Sequence, residues 1–176
     1  MEKKLHTINK GFTLIELIIS VAVLSLGVIV LYSTLLPFIK LTSDISLRLT
    51  GAYLAQEGLA IVKNIRDNNF INRSEAQWDN GLRDCSDGCQ ADYKAGTKAQ
   101  TKANKLKAYN NDDFLSLNSK GFYSYDAGGI TTSIKRKITI TRIFKNNALK
   151  IDVLIAWDHR GETFSTSAYE YLYNWH

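Results

Sequence analysis

The sequence predicts an α+β fold: a long N-terminal helix packed on a C-terminal antiparallel sheet of three to four strands. Three observations predict it. Residues 17–39 are twenty-three consecutive uncharged positions, and about 20 apolar residues span a bilayer as a helix. Residues 40–66 keep apolar side chains at helical spacing, the pattern of a helix with one covered face. Residues 133–173 alternate apolar and polar side chains between short turn signals, the pattern of strands.

The amphipathic stretch continues the apolar one. Leu41, Ile45, Ala52, Ala55, Leu59 and Val62 recur at three, four or seven residues, beside a row of Leu47, Leu54, Ile61 and Ile65. Asp44, Arg48, Gln56, Glu57, Lys63 and Arg66 occupy the polar side. One helix from about Thr13 to about Asp67 is predicted. Pro37 removes a backbone hydrogen bond and crowds the preceding turn, so a kink or melted turn is expected near residues 33–37. Gly51 and Gly58 either admit a close neighbour or are tolerated at about 1 kcal/mol each.

Residues 68–113 are poor in apolar side chains and read as an irregular connection, pinned to the domain by Trp78 and Leu82. The strands follow. Residues 133–144 alternate around Ile134, Arg136, Ile138 and Ile140, and a turn is expected at Asn146 and Asn147. Leu149, Ile151, Val153, Ile155 and Trp157 hold strict period two. After a turn at residues 158–161, residues 162–173 form the last strand, and residues 114–125 offer a fourth. An antiparallel meander with one apolar face needs cover, which the amphipathic half-helix supplies. Tyr169, Tyr171, Tyr173 and Trp175 repeat at strand spacing and read as packing residues of the core or sheet face, ahead of a subunit contact.

The chain has 176 residues and net charge +5, one domain beyond an anchor. That charge is too modest to imply nucleic-acid binding. Lys94, Lys98, Lys102 and Lys105 would form a basic stripe if helical. A solvated surface is the better reading over an anionic ligand such as DNA, since no aromatics are interleaved for base stacking. No Gly-x-Ser-x-Gly, His-Glu-x-x-His or phosphate loop occurs, so no catalytic site is assigned. Lys3, Lys4 and Lys10 precede the apolar run and place the N-terminus in the cytoplasm and the rest outside the cytoplasmic membrane. There, Cys85 and Cys89 are free to join, and Asp87 and Gly88 favour a tight turn between them. A small surface disulfide loop is preferred to free thiols.

Glu16 is the one charge between residues 11 and 39. A carboxylate in hydrocarbon costs roughly 2.5–3.5 kcal/mol and calls for a partner. It lies one helical turn after Phe12, which follows Gly11 and a short basic segment. This junction, with Thr13, Leu14, Ile15, Leu17 and Ile18 around it, resembles the processing site of type IV prepilins and of the pseudopilins of type II secretion. The resemblance implies that a prepilin peptidase cuts between Gly11 and Phe12 and methylates the Phe12 amine. It further implies that Glu16 pairs with the Phe12 amine of a neighbouring subunit, and that the fold is pilin-like.

On that basis the chain divides into a leader (1–11), the transmembrane or filament-core half of the helix (12–39), its amphipathic half (40–67), a variable loop carrying Cys85 and Cys89 (68–113) and the sheet (114–176). The implied partners are other pilin or pseudopilin subunits, the prepilin peptidase, the inner-membrane assembly platform and the cytoplasmic membrane. No cofactor or metal is implied. Residues 110–113 could lend oxygen ligands to calcium, as some pseudopilins do, but a polar loop is the better reading. The function expected is a structural subunit of a type IV pilus. The size and the position of Pro37 favour a minor one. A type II secretion pseudopilin is the alternative within the family. A membrane-anchored protein that binds DNA or another ligand is the alternative outside it.

Overall fold

The computed structural model describes residues 11–71, 77–96, 106–144 and 147–174. The chain divides into two compact units, Met1–Ser46 and Leu47–His176, and each is described by itself. The first unit is helical from Leu14, as the first part of α1 (Leu14–Ile71), a helix long and apolar enough by length and composition to cross a membrane. Its side chains are exposed throughout residues 14–42 wherever they are described. Leu41 and Ile45 belong to this exposed part, so the covered stripe starts later than the periodicity predicted. No turn melts at Pro37, because α1 is unbroken through it. One missing bond and one ring clash, about 3 kcal/mol, leave the hydrogen bonds of the flanking turns in place. The Ser33 and Thr34 hydroxyls also donate to the Val30 carbonyl at 2.8 Å each.

In the second unit the remainder of α1 lies on an antiparallel sheet. It runs four residues past the expected end, to Ile71. Asn64 and Asn68 side-chain amides hold the Gly96 carbonyl there at 2.9 and 2.5 Å. The main sheet has five strands in the order β2-β1-β6-β7-β8. The three long ones match the predicted meander: β6 (Ile134–Ile143), β7 (Ala148–His159) and β8 (Glu162–Tyr173). Asn146 lies outside the described residues, while the Asn147 amide donates to the Phe144 carbonyl at 3.1 Å. Arg160 and Gly161 both take positive φ, 55° and 83°, closing the second hairpin as a two-residue turn requires.

Two corrections concern the shorter strands. β1 (Cys89–Gln90) and β2 (Lys107–Ala108) come from the region read as irregular and extend the main sheet to five strands. Residues 114–125 do not add a strand to it. Instead β3 (Ser116–Leu117), β4 (Tyr123–Ser124) and β5 (Ile130–Thr131) form a separate small sheet in the order β4-β3-β5. Two-residue strands are too short to show a period, so only their partners define them.

The core fills the space between α1 and the inner faces of β6 and β7. Leu54, Ala55, Ile61, Val62 and Ile65 meet Ile134, Ile138, Ile140, Leu149, Ile151, Val153, Ile155 and Trp157, with Leu82 and Leu115 closing the sides. Trp78 packs at the margin and stacks on Phe70. Both helix glycines admit a close neighbour. A Cβ at Gly51 would stand 2.9 Å from the Trp157 ring, and one at Gly58 would stand 2.8 Å from Val153 Cγ1.

Arg136 lies among these apolar residues, fully buried on the inner face of β6. Its guanidinium donates to Glu57 Oε2 at 2.6 Å, to the Leu54 carbonyl at 3.2 Å and to the Ala91 carbonyl at 2.5 Å. Helix, sheet and loop are thereby joined through one side chain. Glu57, on the polar side by periodicity, is its counter-ion. The Tyr125 hydroxyl donates to the Arg136 carbonyl at 3.5 Å. Burial pushes the Tyr125 phenol up to about 12, against the opposing pull of Arg136.

Gly58→Leu should cost about 1–3 kcal/mol by overpacking against Val153, read as a lower melting temperature of the detergent-solubilised chain. A second expectation concerns alkali. The Tyr125 phenol ionises near 10 when unfolded and near 12 when folded, so the folded state holds the proton longer. Its contribution is complete below pH 10 and is lost as pH rises through 12, roughly 2–3 kcal/mol in all. Melting temperatures across pH 9–12 should fall more steeply for the wild type than for Tyr125→Phe.

Candidate functional site: the N-terminal junction

Gly11, Phe12 and Thr13 precede the helix in extended or irregular backbone, and all three are exposed. Phe12 is 81% exposed. A Cβ added at Gly11 would meet no atom within 4 Å, so packing among the described residues does not require glycine there. Met1 to Lys10, with Lys3, Lys4 and Lys10, lie outside the described residues.

The helix starts by a local device. The Glu16 amide donates to Thr13 Oγ1 at 3.3 Å, and the Leu17 amide to the Thr13 carbonyl at 3.2 Å. Thr13 is therefore the N-cap, and Glu16 stands at the third helical position, the spacing of a capping box. A carboxylate in the first turn also complements the helix dipole. This role was open to sequence reasoning, because Thr-x-x-Glu before an apolar run is a helix-start signal. Among the described residues the Glu16 carboxylate has no ion-pair partner. The unit thus combines a preformed helix start, a carboxylate beside it and a run of exposed apolar side chains.

The other sequence candidates lie elsewhere. Cys85 and Cys89 are joined by a disulfide with Cα atoms 5.2 Å apart. The bridge is not on the surface as expected: both cysteines are buried, at 2% and 3% exposure. The reason is pairing, since Cys89 lies in β1 between Ala108 of β2 and Ile138 of β6, and the Cys85 carbonyl accepts the Ile140 amide at 3.0 Å. Gly88, at φ 112°, makes the turn between them and lies against the Lys137 side chain.

Lys94 sits in a turn, ion-paired with Asp126, and that hydrogen bond holds its ammonium above the usual lysine range. Lys98, Lys102 and Lys105 lie outside the described residues. In the loop at residues 110–113, Asp113 accepts from Gln90 Nε2 at 2.7 Å and from Asn110 Nδ2 at 3.0 Å, and Asn110 Oδ1 accepts the Asp112 amide. Both Asp113 oxygens and Asn110 Oδ1 are therefore engaged, within the loop and, through Gln90, with β1. Tyr169, Tyr171 and Tyr173 are sheet-face and not core residues: they lie exposed on the outer face of β8, where Tyr169 and Tyr171 meet edge to face and Lys150 lies over Tyr169, and Trp175 is outside the described residues. The rows separate because Leu172 and Ala168 take the inward positions.

Removing the disulfide by Cys85→Ser with Cys89→Ser should lower stability by about 2 kcal/mol, the loop-entropy estimate for so short a ring. The β1 and β2 amides should lose protection in hydrogen exchange before those of β7.

Residues 7–32 match the family model described as the prokaryotic N-terminal methylation motif. The match points to a type IV prepilin- or pseudopilin-like chain of structural kind. No curated protein and no solved structure matches the chain.

Proposed function

We propose that this type IV prepilin- or pseudopilin-like protein is a minor structural subunit of a type IV pilus, polymerised through the N-terminal half of α1. The observation that carries the proposal is the first unit of the chain. Residues 14–42 expose an almost continuous surface of large apolar side chains, among them Leu14, Ile19, Leu24, Ile29 and Phe38. Such a surface is stable only in lipid or against other helices. A bilayer provides the first environment before assembly, and a filament core provides the second.

Cleavage between Gly11 and Phe12 would create a new amine one turn before Glu16, and the exposure of Phe12 and the open space around Gly11 suit entry of a peptidase. The glycine would answer to that enzyme and not to the fold. In a neighbouring subunit the methylated Phe12 amine would meet Glu16. Opposite charges in a low-dielectric surrounding attract strongly, and one left alone there is costly, so the pair would set the axial register of subunits. The membrane-to-filament transfer exchanges one apolar environment for another, so its direction must come from an assembly motor. A type II secretion pseudopilin would use the same junction and the same helix. Which machine incorporates the chain separates the two.

Glu16→Gln isolates the charge, because glutamine serves equally at the third position of a capping box. The variant should be processed and inserted, with a mature N-terminus at methylated Phe12 by mass spectrometry. It should be depleted from sheared filaments, by a penalty of roughly 3–5 kcal/mol for each unpaired ammonium. Wild-type recovery of the Gln variant in the sheared fraction would sink the assembly role. Recovery of wild type with a secretion pseudopilus and not with a surface pilus would move the protein to the alternative system.

A further inference from the structure

We infer that the free edge of β8 is a docking site for an extended, basic segment of a partner polypeptide, which would join the main sheet as a sixth strand. The two edges of this sheet differ sharply. β2 ends one side with two residues, whereas β8 ends the other with twelve, Glu162–Tyr173. Every residue of β8 pairs with β7 on one side. Among the described residues no strand pairs with its other side. Along that side, alternate residues direct amide and carbonyl groups away from the sheet.

Proteins usually guard a long edge with charged side chains, proline, a bulge or a covering segment, and the only charged guards here are Glu162 and Glu170, in the inward row with Phe164, Ala168 and Leu172. β8 contains no lysine, arginine, proline or glycine, and its outer row from Thr163 to Tyr173 is exposed throughout. Its Thr, Tyr and Phe residues favour strand pairing.

Charge selects the occupant. The only ionic side chains of β8 are Glu162 and Glu170, eight residues apart and therefore on the same face. Neither has an ion-pair or hydrogen-bond partner among the described residues. Of the cations beside this strand, Arg48 lies over the Phe164 ring, 5.6 Å from its centroid, and Lys150 lies over the Tyr169 ring at 5.5 Å, paired with Asp152 on the opposite face from the glutamates. A second copy of β8 would bring two more carboxylates and no cation to the seam, and like charges across strands destabilise pairing. The β2 edge of another copy offers only two residues. A foreign strand with lysine or arginine on the Glu162 and Glu170 face satisfies both the backbone and the charge. Apolar residues on its other face would lie beside Tyr169, Tyr171 and Tyr173. This is strand addition, in which main-chain bonds supply affinity and alternate side chains supply selectivity.

The test uses the full chain in a non-ionic detergent. The probe is a fluorescent, end-capped peptide of alternating valine and threonine with two lysines spaced as Glu162 and Glu170 are. Saturable binding is expected, with slowed hydrogen exchange at alternate β8 amides and none at β2. Glu162→Lys with Glu170→Lys should weaken binding about tenfold or more while leaving the melting temperature unchanged. The same peptide methylated at alternate backbone nitrogens should not bind, which separates strand addition from simple ionic attraction. Absence of saturable binding, unaltered β8 exchange, equal affinity for the double variant or equal binding of the methylated peptide would each overturn the inference. So would β8 protection that rises with protein concentration in the absence of peptide, since that would mark pairing between copies.

Discussion

Arg136 is the interaction on which the arrangement of the second unit depends. A cation fully inside an apolar core is costly unless it is paired and hydrogen-bonded, and its partners here come from three different places. Glu57 and the Leu54 carbonyl belong to α1, the Ala91 carbonyl to the loop after β1, and Arg136 itself to β6. The two terminal nitrogens of the guanidinium therefore find their acceptors only when helix, loop and sheet are all in position, while Nε is buried without a partner among the described residues. Such a group specifies one arrangement more than it adds stability. Gly58 serves the same packing, since its missing side chain lets α1 approach Val153 and the methylenes of Arg136.

The disulfide works beside this arrangement at the sheet edge. Cys89 stands in β1, and through the Cys85 and Gly88 carbonyls the ring also holds the Ile140 and Tyr109 amides. Asp79 adds a second ionic tie, accepting from Arg83 at 2.7 Å and from Arg142 at 3.2 Å. The β2 end of the sheet is thus short, cross-linked and buttressed, while the β8 end is long and open. In the first unit the imbalance is of another kind, because the exposed apolar surface of α1 has no cover among the described residues.

The N-terminal junction was legible from residue types alone. Gly11, Phe12 and Glu16 before an uncharged run lie within the stretch that matches the N-terminal methylation motif, and no tertiary information is needed to see it. The Thr13 cap of the same helix was legible as well, through its spacing to Glu16. The three long strands were readable because Leu149 to Trp157 and their neighbours hold period two over ten or more residues. The stripe on α1 was readable from Leu47 onward but overextended at Leu41 and Ile45. Periodicity reports an apolar face and not whether protein or another medium covers it.

By itself, then, the sequence determined the long helix, its apolar and amphipathic halves, the three-stranded meander and the junction that matches the prokaryotic N-terminal methylation motif. Each of these is local or periodic, and local patterns are written in residue order. Only the tertiary structure decided that β1 and β2 join the main sheet while residues 114–131 form their own. It alone buried the cysteines, made Glu57 the counter-ion of Arg136 and turned the three tyrosines outward. Those outcomes depend on contacts between residues far apart in the chain, such as Cys89 with Ile138 and Arg136 with Ala91. No spacing in the sequence encodes which of two chemically suitable partners will be near enough to bond.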